Sequence, residues 1–249
     1  MKKRYTACLL LAMLAGALPG YGARETAASS EEISQQTEAE PSQEETDSGA
    51  APIVYMTTDI SSDALMAVYE ALGAELPDEN VAVKISTGEN GSNYLRPELI
   101  QELVQEVNGK NISIGIASSD GKAHIHSGGT GGSMWGGDQD AFLESMAEAG
   151  KSVSDYMAGN MLYINVMNRL SVDCDCTGSP AEPDMHDIGI LASFDPVALD
   201  QACIDLVYSA EDGESLIQRI ESRNGLLTLE HAEEIGLGSR TYDLVSLDG

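Results

Sequence analysis

The chain has 249 residues and a formal net charge of −28 at pH 7. A surface so acidic repels nucleic acid and anionic lipid, and it excludes nucleic acid as a partner. The hydrophobic share of 42 % fits a globular chain, and past the N-terminus no run is apolar enough to cross a bilayer.

Met1-Lys-Lys-Arg4 precedes an apolar run from Ala7 to Leu18. This basic start and short apolar stretch predict an export signal over residues 1–23, hence an extracytoplasmic protein. Tyr21 stands where a lipoprotein leader carries its Cys, so association with the envelope would need another anchor. Residues 24–51 hold Glu, Ser, Thr, Gln, Ala and Pro without an aromatic residue. Such a segment buries too little apolar surface to offset its ordering entropy, and it reads as a disordered acidic tether. Residues 52–249 then form one domain with a sizeable core.

Within that domain, Ile53 to Thr57 reads as a strand. Ser61 or Ser62 caps a helix carrying Leu65, Val68, Tyr69 and Leu72 on one face, with Gly73 at its end. Val81 to Thr87 alternates as a strand, and Pro97 opens a helix that ends at Asn108-Gly109. Ile112 to Ala117 is a strand leading into the Gly-rich stretch from Gly121 to Gly137. Further helices are expected over Asp138–Met157, from Pro196 through Tyr208, near Ser215–Arg223 and near Thr228–Ile235. Strands are expected over Met161–Met167, Asp187–Ala192 and Tyr242–Leu247. This alternation predicts an α/β domain with a mixed or mostly parallel sheet flanked by helices.

Two alternate-residue pairs carry the chemistry: His124-Ile-His126 and Cys174-Asp-Cys176. In extended backbone that spacing sets both side chains on one side. Imidazole and thiolate suit zinc or iron, not magnesium or calcium. A disulfide between Cys174 and Cys176 would close a tight, strained ring, so metal ligation or redox chemistry explains the pair better. His186 lies close behind the Cys pair and joins the candidate ligands. Cys203, on a helix face with Leu199, Leu206 and Val207, reads as core, and His231, among Glu residues, as exposed. Lys84 reads as a residue of a solvated strand edge.

Asp173-x-Asp175-x-Thr177-Gly178, with Asp184 at the twelfth position, echoes a calcium loop, although Asp replaces the final Glu and Pro180 and Pro183 stiffen it. The stretch from Gly115 to Lys122 has one residue too many for a phosphate loop. No nucleophile elbow and no dinucleotide fingerprint occurs, so no reaction can be assigned from motifs.

Several segments together resemble one family: Val54-Tyr-Met-Thr, Val83-Lys-Ile-Ser-Thr-Gly-Glu89, Asn93-Tyr-Leu-Arg-Pro97 and Lys110-Asn-Ile-Ser-Ile-Gly-Ile-Ala-Ser118. Asn165-Val-Met-Asn168, Asp173-Cys-Asp-Cys176 and Gly189-Ile-Leu-Ala-Ser-Phe-Asp-Pro-Val-Ala-Leu-Asp200 extend the likeness. The chain resembles the domain of unknown function family 362, often described as uncharacterised iron–sulfur centre proteins. The resemblance implies an α/β domain and iron–sulfur binding, and names no reaction. Relatives carry a central segment between the counterparts of Gly109 and Lys110, which are fused here. That loss is expected to remove ligands and part of the core, and at the extreme to leave a truncated, non-functional member.

Ligand arithmetic limits the cofactor. An all-thiolate cluster needs four Cys, and removal of the leader leaves Cys174, Cys176 and Cys203. A mixed Cys/His cluster, a cluster shared by a homodimer, and a mononuclear zinc or iron site all stay open. The expected function is an exported metal- or iron–sulfur-binding protein, acting in redox or electron transfer with a redox partner. Its alternative is a non-catalytic envelope module that holds a ligand or partner with the Gly-rich loop and Trp135.

Overall fold

The computed structural model describes residues 5–9, 50–74, 80–85, 93, 95–107, 111–115, 138–173 and 178–249. Its strands are β1 (Tyr5–Leu9), β2 (Ile53–Thr57), β3 (Asn80–Lys84), β4 (Asn111–Gly115), β5 (Met161–Met167), β6 (Gly189–Ser193) and β7 (Asp243–Ser246). The helices are α1 (Ser62–Ala71), α2 (Pro97–Glu106), α3 (Gln139–Met157), α4 (Pro196–Ser209), α5 (Glu214–Ser222) and α6 (Leu227–Glu234). One sheet runs in the order β4-β3-β1-β5-β6-β2-β7. Only the pairings of β6, with β5 and with β2, are antiparallel. The sheet is thus mixed and mostly parallel, with helices around it, as the alternation predicted.

β1 falls within the stretch read as an export leader, and the sheet sets it between β3 and β5. Cleavage near Ala23 would remove that strand. β3 is an internal strand, paired on both sides, so Lys84 does not lie on a sheet edge as expected.

The central strands are apolar on both faces because both faces are covered. Leu162 and Ile164 pack with Ile190, Ala192, α1 and α2 on one side. Met161, Tyr163 and Met167 pack with Val54, Met56, Leu191 and α4 on the other. Each fully buried Leu or Ile contributes roughly 1.5–3 kcal/mol to stability. A smaller cluster of Ala147, Val197, Leu229 and Ala232 joins α3, α4 and α6.

Helix starts follow the expected signals. Ser61 caps α1 by accepting from Ala64 N at 3.1 Å, and Asp138 caps α3 by accepting from Asp140 N at 3.0 Å. Asp195 does more. Its Oδ1 accepts from Val197 N and Ala198 N, each at 2.9 Å, while Oδ2 accepts from Ser239 N at 3.0 Å. One carboxylate therefore starts α4 and fastens the segment after α6. Burial raises its pKa, and the three backbone donors oppose that rise. Asp195→Ala should lower stability by about 1–2 kcal/mol, the usual loss for a cap. A urea midpoint indistinguishable from wild type would contradict the double role.

Candidate functional site

β4, β3, β1 and β5 all run parallel, so the segments after β4 and after β5 leave the same edge of the sheet. The two strands are not neighbours, however, because β3 and β1 stand between them. Three strand spacings separate their ends by about 14 Å. The sheet alone does not bring the His pair to the Cys pair, and their convergence would rest on loop reach. His124, His126, Cys174 and Cys176 lie outside the described residues, as do Trp135 and the whole Gly-rich stretch; His186 lies within them.

The Cys pair belongs to the connection between antiparallel neighbours β5 and β6, a long hairpin loop over residues 168–188. Its base is closed by Ile188 N donating to Met167 O at 2.9 Å and Arg169 N donating to Asp187 Oδ1 at 2.6 Å. Leu170, Val172, Met185 and Ile188 pack into the core beneath it. Higher up, Ser171 Oγ donates to Ala181 O at 2.8 Å, and Ala181 N donates to Asp173 Oδ2 at 2.9 Å. These two bonds staple the strands of the loop on either side of residues 174–177. Arg219 of α5 adds a cation, with Nη2 3.7 Å from Asp173 Oδ1.

The same bonds weaken the calcium reading. Asp173 is committed to Ala181 N, and Asp184 Oδ1 accepts from Ser215 Oγ at 2.6 Å. The first and twelfth carboxylates of that echo serve as loop fasteners, and the chain continues into β6 instead of a helix.

His186 sits at the outer side of the loop. Its ring Nδ1 lies 2.7 Å from Asp212 Oδ1, and its backbone N–H donates to Asp212 Oδ2 at 2.8 Å. The ring is 60 % exposed, which leaves Nε2 open to solvent. Both contacts hold the Asp212 carboxyl below the ordinary carboxylate range, the backbone donor foremost. The carboxylate orients the ring through Nδ1–H, the arrangement in which the other nitrogen, Nε2, is the one a metal would take.

A second group of polar side chains lies between β5 and α4. Asn165 Nδ2 donates to Asp200 Oδ1 at 2.8 Å and to Cys203 Sγ at 3.4 Å. Asp200 as a residue is half-buried, yet its carboxylate is enclosed, and that burial pushes its pKa up to about 7 against the opposing Asn165 bond. Burial, and then the charge of Asp200, push the Cys203 thiol far above the ordinary range. Cys203 packs beside the apolar cluster of α4, as its helical spacing indicated. Sequence reading missed this trio as a unit. Its signal was an Asp inside the apolar run Val197-Ala-Leu-Asp-Gln-Ala-Cys203 and an Asn inside Leu162-Tyr-Ile-Asn-Val-Met167.

His231 corrects another expectation. It is not exposed: its side chain keeps only 17 % of its surface, at the packing of α3 against α6, with Glu148 and Glu234 each 3.6 Å away. The Glu-rich surroundings concealed that its helix face turns inward. Among the described residues, no three His, Cys, Asp or Glu side chains converge as a metal site.

The fold defines the class: an α/β domain whose β5–β6 connection carries the Cys174–Cys176 pair in its sequence, with a buried polar cluster between β5 and α4. The family model for a domain of unknown function, DUF362, matches residues 107–205. The match bears out the resemblance over that stretch, from the end of α2 into α4 and across the whole Cys loop, though not over the wider span the motifs had suggested. No curated protein and no solved structure matches.

Proposed function

We propose that the protein is a metal-binding protein, with Cys174 and Cys176 as thiolate ligands and His186 as a nitrogen ligand. The observation that carries this reading is the Asp212 carboxylate on His186 Nδ1 at 2.7 Å. Orienting carboxylates of this kind are the usual companions of metal-bound imidazole. The bonds that staple the loop on both sides of the Cys pair support it, because a pre-held loop reduces the ordering cost of binding.

The ligand count selects the cofactor class. Cys203 is buried, hydrogen-bonded by Asn165 and strongly biased toward the neutral thiol. It is therefore no partner for the loop thiols. Two loop thiolates with His186, and the His124–His126 pair where loop reach allows, favour a mononuclear zinc or iron ion over an iron–sulfur cluster. Two chains pooling their loops would supply the four thiolates a cluster requires. A redox or electron-transfer role accompanies an iron-containing site.

Anaerobic purification, elemental analysis and a visible spectrum test this reading. About one zinc or iron per chain is expected, absent from Cys174→Ser/Cys176→Ser. Asp212→Ala should weaken binding roughly 10- to 100-fold through His186. A metal-free protein under reducing conditions would overturn the proposal in favour of the envelope module that uses the Gly-rich stretch.

A further inference from the structure

β7 stands at one end of the sheet, and among the described residues β2 is its only strand partner. Asp243 N donates to Pro52 O at 2.9 Å and Leu247 N to Met56 O at 2.7 Å. In a parallel ladder alternate residues bond inward, so Val245 joins these two, and the backbone of Leu244 and Ser246 faces out. Sheet edges are commonly blunted by Lys, Pro or a bulge. The strand Asp243-Leu-Val-Ser246 has neither Lys nor Pro, and its register with β2 advances one residue at a time without a bulge. Both of its ends are held. Tyr242 OH donates to Asp205 Oδ2 at 2.8 Å, and Asp248 Oδ1 accepts from Thr57 Oγ1 at 2.7 Å. An edge fixed in this way loses little freedom when another strand joins it. Apolar surface lies open beside it: Ile53 is 46 % exposed, Leu244 44 % and Val245 38 %.

We propose that β7 is a dimerisation edge, which a second copy of this chain joins antiparallel about a two-fold axis at Val245. The charges select this occupant and this register. Leu244 exchanges its outward bonds with the partner's Ser246, and Ser246 with the partner's Leu244. Between them Val245 meets the partner's Val245 at the close, non-hydrogen-bonded position. Tyr55 pairs with Val245 within each copy, so an apolar row crosses the axis from Tyr55 to the partner's Tyr55. Asp243 faces the partner's Leu247, and the Asp248 carboxylate stays turned to Thr57 and Thr58 of its own copy. No acid opposes an acid, whereas a parallel copy in register would set Asp243 against the partner's Asp243. A basic partner strand finds no acid on the outward residues Leu244 and Ser246. The net charge of −28 still repels one copy from the other over longer range. Pairing through so short a strand is therefore reversible, and it strengthens as salt screens that repulsion.

Sedimentation velocity of the full chain at tens of micromolar tests the edge. A chelator is present, so no metal shared between two Cys loops can join the copies, and the outcome is independent of the metal reading. The expected result is a monomer–dimer equilibrium that tightens roughly tenfold from about 0.05 M to about 0.5 M salt. Val245→Lys and Val245→Glu, each alone, should weaken it at least roughly tenfold, because like charges then meet at the axis. An equimolar mixture of the two variants should dimerise again, now more tightly in low salt. A wild-type chain that is monomeric at every salt concentration overturns the proposal. So does a dimer that both substitutions leave unchanged, or a mixture that stays monomeric. Should a charged variant not fold, Leu244→Pro takes its place, since it removes an outward donor and no bond to β2. Loss of the dimer in that variant supports the edge, and an unchanged dimer overturns it.

Discussion

Gly189→Ala is expected to cost roughly 3–5 kcal/mol, enough to leave little folded protein. Gly189 opens β6 at φ +149°, a backbone region almost closed to side chains. A Cβ there would overlap the Thr57 carbonyl oxygen on β2. Neither neighbour can step aside. Thr57 is paired with Ile190, and Gly189 is paired with Met167 of β5, so the clash falls within a three-strand ladder. The flanking residues Ile190 and Leu191 are fully buried, so any shift of β6 also disturbs both core faces. Soluble yield and the urea midpoint measure the effect. A midpoint close to that of wild type would show that β6 slides more freely than this packing allows.

Asp200 makes stability fall as pH rises through the weakly acidic range. The folded chain keeps this proton up to about pH 7, whereas the unfolded chain releases it near 3.8. Between those values the folded state binds the additional proton, so the unfolded state gains on it with every step of pH. At about 1.4 kcal/mol for each pH unit across that interval, the full drop is roughly 4 kcal/mol. Asp195 acts in the same direction, since burial raises its pKa too. Asp212 and Asp248 act oppositely: their lowered pKa values lend stability that disappears only in more acidic solution. Asp195 and Asp200 thus share the window above about pH 4, and Asp200 carries it up to about pH 7. Asp200→Asn keeps an acceptor for Asn165 and removes the charge. It should be more stable than wild type at pH 8 by roughly 2–4 kcal/mol and lose that advantage as the pH falls to about 4. Urea melts of both chains across this range provide the comparison. A parallel pH dependence in the two would show that the Asp200 carboxylate is hydrated in the folded chain.

Much of the architecture was legible because local signals and burial agree. Met161–Met167 and Pro196–Ser209 follow from an unbroken apolar run and from an Asp-Pro start, and both stand where they were expected. Val81–Thr87 was read too long, since the described strand ends at Lys84. Strand order was not legible. The separation of β4 from β5 by two strands is set by long-range pairing, which no local pattern encodes. The candidate site rested on composition alone: Cys and His at ligand spacing stand out wherever they fall. The anchors that give those residues meaning were hidden. Asp212 reaches His186 from 26 residues away and Asp200 reaches Asn165 from 35, and each alone looks like one more acidic residue in an acidic chain.

The position of β2 governs when the domain can form. Its two neighbours are β6 and β7, so Ile53 waits for Asp243 and Thr57 waits for Ile190. Until those residues have been synthesised, Val54 and Met56 have no ladder to join. A ribosome therefore releases most of the polypeptide before β2 finds a partner, and loop closure over such distances is slow. Nascent chains interrupted within α4 would carry the Cys loop and most of the apolar core, yet present an open β2 edge. Such intermediates are the ones most in need of a chaperone, which makes completion of the last hairpin-sized segment the step that commits the molecule to its native state.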